Sequence, residues 1–345
     1  MDHEGVRRVT NDPQTPAAPP MFLTDADVER LSDLPRAIAA VRAAYRAPVD
    51  DGRNPGRIFA DSGREWMRVM PSVPGSGRLF GAKSINGTFA DGLRVSYLIS
   101  LFDKETADLV ALVDGNRVTG LRTAATSAVA TEVLVPPRAL RVGVIGSGFE
   151  AQSHTAALAL VAQFASVAVY SPTPGNRERF AARFAESLGV PVQPVESAEK
   201  AVRDADLILC AARSRNETPT VAAEWVSGHA TVVSIGSTTP RQRELPADLL
   251  ARADLIVADT VDEVVNGSGD LIAAREAGVD VDALTASLNA VLLQERAVDT
   301  ERGIRIYKST GSGLQDVVVA EALVDLARER GIGTVLPVGI VTTRK

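Results

Sequence analysis

Arg141-Val142-Gly143-Val144-Ile145-Gly146-Ser147-Gly148-Phe149-Glu150-Ala151 is a short β-rich apolar run that ends in Gly-x-Gly-x-x-Ala, with the alanine-rich segment 151–165 behind it. Gly146 permits a tight turn out of the strand, Gly148 lets backbone approach a pyrophosphate, and Ala151 lets the helix pack close to the sheet. Unpaired N–H groups of the helix's first turn then face the phosphates. A dinucleotide-binding turn is expected here, with Gly146, Gly148, Phe149, Glu150, Ala151 and Gln152 as its cofactor-binding residues.

Outward from this turn, residues 138–260 alternate strand and helix. Strands are predicted over 141–145, 166–170, 190–195, 206–211, 231–235 and 255–258, with helices over 176–188, 198–203 and 246–253. That alternation predicts an α/β fold, a Rossmann-type doubly wound parallel sheet covered on both faces. Upstream the texture changes. Two helices, one capped by Thr24 and one over 34–45, precede short strands over 57–60, 65–70, 79–85, 97–102 and 108–113, a mixed or antiparallel unit. A helix over 121–134 leads to the Pro136-Pro137 break. Downstream, 261–305 reads as helical, 304–309 as a further strand and 315–330 as an amphipathic helix. Pro13, Pro16, Pro19 and Pro20 mark residues 1–20 as a disordered lead-in.

The bulk numbers narrow the function. A chain of 345 residues suits two domains, and 45% hydrophobic with 23% charged residues is ordinary for a globular protein. A net charge of -6 without a basic run argues against nucleic acid. No apolar run reaches the roughly 18 residues that span a bilayer, and no apolar signal core opens the chain, so a cytoplasmic protein without membrane contact is expected. Cys210 stands alone, and His3, His154 and His229 lack ligand spacing, so no metal site is expected.

Several separated motifs then fit one family. Gly115–130 (preceded by Val113-Asp114), Met70-Pro71, Gly81-Ala82-Lys83-Ser84-Ile85-Asn86-Gly87, Ala151-Gln152, Ile235-Gly236-Ser237 with Arg243-Glu244-Leu245, and Tyr307-Lys308-Ser309-Thr310-Gly311 with Asp316 occur in order. Together they resemble the ornithine cyclodeaminase/mu-crystallin family over nearly all of residues 22–335. The resemblance implies a homodimer of two-domain subunits. Residues 136–305 would be the nucleotide domain, and 21–135 with 306–345 an α+β substrate-binding and dimerisation domain built from both chain termini. It also implies hydride exchange between a nicotinamide and the α-carbon of a small amino or imino acid, as in imine or ketimine reductases and amino-acid dehydrogenases.

Such chemistry needs cations on the substrate carboxylate. Arg122 and Arg57 match the family's carboxylate-binding arginines, and the guanidinium fork suits that task. Lys83 matches the active-site lysine; neighbouring arginines would disfavour its ammonium form and bring it into acid–base range. Thr123 beside Arg122 is a further cofactor-binding candidate. Thr238 departs from the pattern, because cyclodeaminases carry an aspartate there. Ornithine or lysine cyclisation with a tightly held NAD is therefore the alternative reading, and a non-catalytic mu-crystallin-like binding protein is another. Arg68, two residues before Met70, would share its strand face and suit a second acidic group on the substrate; exposure to solvent competes with that reading.

The second nucleotide strand ends in Tyr170-Ser171-Pro172-Thr173, with Arg177 beyond and no carboxylate to bond a ribose 2′-hydroxyl. Ser171, Thr173 and Arg177 suit a 2′-phosphate, so NADP(H) is favoured over NAD(H). Helix capping by Ser171 and Thr173 is the competing reading.

Overall fold

The computed structural model describes residues 19–48, 50–212 and 218–343. The expected disordered lead-in lies outside the described residues except for its last two positions.

Two sheets organise the chain. The first runs, in spatial order, Thr334–Val335, Met21–Leu23, Leu109–Asp114, Arg94–Asp103, Leu79–Thr88, Glu65–Ser72 and Ile58–Asp61. It is mixed: Met21–Leu23 pairs parallel to Leu109–Asp114, and the remaining pairings are antiparallel. Both chain termini contribute, since Met21–Leu23 near one end pairs with Thr334–Val335 near the other. The second sheet runs Thr285–Ser287, Ala253–Ala258, Ile304–Lys308, Thr231–Ser234, Leu207–Cys210, Leu140–Ile145, Phe164–Tyr170 and Val192–Pro194. All of its pairings are parallel. The architecture is α/β, with a Rossmann-like sheet and a mixed sheet that uses both termini.

The order of the second sheet reverses between Leu140–Ile145 and Leu207–Cys210. At such a switch point the connections leave in opposite directions and open a crevice at the strands' carboxyl ends. Gly146 sits in that crevice with φ 114°, and a Cβ there would meet the Ala211 carbonyl at 2.7 Å, so the turn requires glycine.

Helix Gly115–Leu134 begins six residues earlier than expected. Its N-cap is Asp114, whose carboxylate accepts from the Asn116 N–H at 3.0 Å. The extra turns place Thr119, Arg122 and Thr123 at i, i+3 and i+4, on one face. Ala124, Ala125, Ala128 and Ala130 are fully buried and allow the helix to lie between the two sheets.

Helix Gly313–Arg330 corrects the amphipathic expectation. It is buried on nearly every side, from Gly313 to Glu321 and on to Ala327, packed against Leu34–Arg46, Gly115–Leu134 and the strand Leu79–Thr88. Its apolar residues surround the helix instead of forming a stripe, which makes it a core element. Strand Ile304–Lys308 lies inside the parallel sheet, so that sheet continues three residues past the boundary drawn at 305/306. Residues 261–305 are less helical than expected: they include the strand Thr285–Ser287 and irregular chain after Leu292. Among the described residues no helix is long and apolar enough to cross a membrane.

Candidate active site

Between the carboxyl ends of the parallel strands and one face of the mixed sheet lies a cleft of about 570 Å³. The mixed sheet supplies Trp66, Arg68, Met70, Lys83, Ile85 and Tyr97. In the antiparallel register Lys83 lies opposite Met70, and Ile85 opposite both Arg68 and Tyr97, so these side chains share a face. The long helix supplies Thr119, Arg122 and Thr123, and the parallel sheet supplies Glu150, Ala211, Ile235, Gly236 and Thr238 from its turns.

At the centre is a buried charge cluster. Lys83 is 1% exposed, and its Nζ lies 2.7 Å from either oxygen of Asp316, which is 0% exposed. Arg122 donates from Nε to Asp316 Oδ1 at 3.2 Å and from Nη1 to Gln315 Oε1 at 2.8 Å. Burial pushes the Lys83 ammonium down to about 8; Asp316 opposes the shift, and Arg122 and Arg57 add to it. Gln315 in turn donates to Tyr45 Oη at 2.9 Å and to Asp259 Oδ2 at 3.0 Å. Asp259 also accepts from Ser309 Oγ and from the Thr310 and Gly311 N–H groups, fixing the turn after Lys308. Gly311 has φ 83°, and a Cβ there would come within 2.5 Å of Arg122 Nη1. A side chain there would be strained by that φ and would press on the guanidinium.

Arg57 reaches the same turn from the other side. Its Nη2 donates to the Thr310 and Gly311 carbonyls at 3.1 and 3.0 Å. Its backbone N–H and Nε also hold Glu263, at 2.8 and 2.9 Å, and its Nη2 bonds the same carboxylate. Arg57, Lys83 and Arg122, far apart in sequence, thus converge on one cleft.

The nucleotide turn holds its expected residues in different roles. Nothing would meet a Cβ at Gly148 within 4 Å, and Gly148 caps its helix without a side-chain bond, so open space adjoins the first-turn N–H groups. That cradle fits a pyrophosphate. Ala151 is fully buried, as close helix–sheet packing requires. Gln152 braces the turn, donating to the Ser147 carbonyl at 3.0 Å. Phe149 is exposed, with its ring over Gly120. Glu150 lines the cleft, and burial holds its carboxyl above the usual range. Thr123 donates to the Thr119 carbonyl at 2.6 Å while lining the cleft. At the next strand end, Ser147 donates to Ser171 Oγ at 2.9 Å and Arg177 donates to the Ser171 carbonyl at 2.9 Å. Thr173 is exposed and its side chain makes no capping bond.

Sequence reasoning missed the carboxylates. Asp316, noted in the sequence only as part of a motif, is the shared counter-ion of Lys83 and Arg122. A carboxylate among Leu314, Val317, Val318 and Val319 was the available signal, because burial there demands a partner. A second cluster lies beneath Gly236. Lys308 pairs with Asp270 at 2.7 Å and donates to Ser234 at 2.9 Å. Glu244 accepts from Ser234 at 2.8 Å and from the Gly236 N–H at 2.7 Å. Burial pushes the Glu244 carboxyl up to about 7, Lys308 opposes this and Asp270 adds to it. A carboxyl raised in the native state holds its proton while the unfolded chain, near 4.5, releases it. Its contribution to stability is complete below about pH 4.5 and fades as pH rises to about 7, by up to about 3 kcal/mol. Glu244→Gln is expected to remove this decline from denaturant midpoints measured between pH 5 and 7.5; an unchanged slope contradicts the assignment.

Residues 19–331 match the profile of the Ornithine cyclodeaminase/mu-crystallin family. The chain belongs to this family. Its relatives include a Delta(1)-pyrroline-2-carboxylate reductase of Bacillus cereus, 29% identical over 269 residues that cover 77% of this chain and 78% of the relative. The iminosuccinate reductase of Paracoccus denitrificans is 33% identical over 234 residues, covering 68% and 71%. Among solved structures, the Thermococcus litoralis Delta(1)-pyrroline-2-carboxylate reductase in complex with NADH and L-proline superposes with a TM-score of 0.81 at 26% identity, covering 92% of this chain and 100% of that one. Membership places the chain among nicotinamide-dependent oxidoreductases.

Proposed function

We propose that this family member reduces the C=N bond of a small imino acid at its α-carbon, or oxidises the corresponding amine, using a nicotinamide that donates or accepts the hydride. The observation that carries this reading is the buried Lys83–Asp316–Arg122 cluster at the foot of the cleft that the glycine turn opens. Cofactor storage alone needs no such cluster, which counts against a purely binding role.

Each residue then has a task. Arg122, held by Asp316 and Gln315, and Arg57, on the opposite side of Gly311, orient the substrate carboxylate. Lys83 as ammonium delivers a proton to the substrate nitrogen in reduction, and as free amine takes it back in oxidation. With Lys83 near 8, kcat/KM for reduction holds steady below about pH 8 and falls above it; amine oxidation follows the opposite course. Asp316 positions Lys83 and limits the drop in its pKa. Thr238 offers the cleft a hydroxyl and not the carboxylate that ring closure of a diamino acid would use, which supports simple reduction over cyclodeamination.

The cofactor reading is NADP(H). No carboxylate ends the strand Phe164–Tyr170, the Thr173 side chain makes no capping bond, and Arg177 lies beside Ser171, donating to its carbonyl. Arg177→Ala is expected to raise KM for NADPH about tenfold and leave that for NADH unchanged. Equal effects on both would defeat the assignment.

A homodimer is supported by the opposite face of the mixed sheet. Ile58 pairs with Val69, itself in line with Ser84 and Leu98, while Met67 follows on the same side. Ile58, Met67 and Leu98 are exposed there, at 62%, 45% and 36%. The test of the activity is nicotinamide absorbance, followed with NADPH and NADH in parallel over cyclic imino acids and 2-oxo acids supplied with ammonia or methylamine. Ammonia release from ornithine or lysine without net cofactor consumption overturns the reductase reading.

A further inference from the structure

Arg68 lines the cleft one step along the strand from the Lys83–Met70 pair, on the same face. Two residues along a strand span about 7 Å, comparable with the reach of a short diacid. Its guanidinium carbon lies 5.3 Å from the centre of the Phe59 ring, which stacks on Trp66 at 5.8 Å, so an aromatic platform fixes its position. Arg68 is half-buried, and its Nε is sealed from solvent without a hydrogen-bond partner. It has no ion pair among the described residues.

The carboxylates nearby are already engaged. Glu263 accepts from the backbone N–H and side chain of Arg57. Asp262, exposed on the adjoining wall, accepts from Asn266 at 2.8 Å. Asp316 serves Lys83 and Arg122, and Asp259 is bonded to Ser309, Gln315 and backbone N–H groups. Four cations, Arg57, Arg68, Lys83 and Arg122, thus line a cleft in which Glu263 and Asp316 are their paired carboxylates. Two positive charges remain, one at each end. Glu150 also faces the space, its carboxyl held above the usual range by burial while Arg122 opposes the shift.

From this we infer that Arg68 binds a second carboxylate, at the far end of the substrate from the α-carboxylate, and selects imino dicarboxylates over imino monocarboxylates. The inference rests on the reductase reading for its chemistry, while the binding site itself stands on the unpaired guanidinium. Arg68 is a specificity residue, not a source of protons.

The test pairs turnover with binding. Imines are formed in place from ammonia with oxaloacetate (a dicarboxylate) or with pyruvate and 2-oxobutanoate (monocarboxylates), and kcat/KM is compared in wild type, Arg68→Met and Arg68→Lys. Wild type is expected to favour the dicarboxylate. Arg68→Met should lose about tenfold to a hundredfold with it and little with the monocarboxylates, and Arg68→Lys should recover part of the loss. Retained nicotinamide binding and an unchanged circular-dichroism spectrum in Arg68→Met show that the variant folds. Succinate and butyrate, which cannot react, are titrated calorimetrically into cofactor-loaded enzyme as binding probes. Tighter succinate binding that Arg68→Met abolishes supports the second-carboxylate site. Equal affinity for both probes, or equal losses on both substrate classes, overturns it. If no imine is reduced with either cofactor, the reductase reading fails, and the succinate titration still decides the role of Arg68.

Discussion

Lys83→Met is expected to lower kcat/KM for imine reduction by about a hundredfold or more, with nicotinamide binding retained. A positioned general acid contributes on the order of 10²- to 10⁴-fold, and Lys83 is the buried amine of the cleft whose pKa, about 8, lies near working pH. The change leaves Asp316 paired with Arg122 at 3.2 Å, so the carboxylate is not stranded and the fold survives. The decisive reading is the pH profile. Wild type loses activity as the ammonium is lost above about pH 8, whereas the residual activity of the variant has no such limb. A variant that keeps both wild-type rate and limb would show that another group carries the proton.

Asp316→Asn is the more damaging change for stability. It leaves Lys83 and Arg122 buried side by side with their shared counter-ion gone. Breaking a buried pair by removing one partner costs about 3–5 kcal/mol. A second effect separates this residue from a merely structural one. Asp316 holds the Lys83 pKa up against burial, so its removal shifts the activity limb below pH 8. Denaturant unfolding and a pH–rate profile on the same preparation check both. An unchanged midpoint together with an unchanged limb would remove Asp316 from the proposed machinery.

Local patterns made much of the fold legible. The Gly146 turn, the strand–helix alternation after it and the short strands before it each express a period or a turn chemistry contained in a few residues. Residue type and family register also pointed to the cations Arg57, Lys83 and Arg122. Their carboxylate partners were harder to see. Glu263 meets Arg57 across 206 residues and Asp316 meets Lys83 across 233, and no local pattern encodes such a pairing. The last long helix was misjudged for a related reason: an apolar stripe and an apolar cylinder differ only in what surrounds them. Arg68 was visible by strand alternation, but its lack of a partner belongs to the three-dimensional arrangement.

The mixed sheet is assembled from the two ends of the chain, and this sets an order of events during synthesis. Strands Ile58–Asp61 through Leu109–Asp114 leave the ribosome early, with the Lys83 amine on a face that has nothing opposite it. The residue that neutralises this amine follows 233 positions later, on the order of tens of seconds at ordinary translation rates. The same late helix brings Glu321, whose carboxylate receives the Arg78 N–H at 2.8 Å, and strand Thr334–Val335 then closes the edge beside Met21–Leu23. The substrate half therefore waits, half-built, for its own C-terminus, and the parallel sheet likewise waits for its inserted strand Ile304–Lys308. Nascent chains arrested before Gly313 should engage holding chaperones through the sheet face that later lines the cleft.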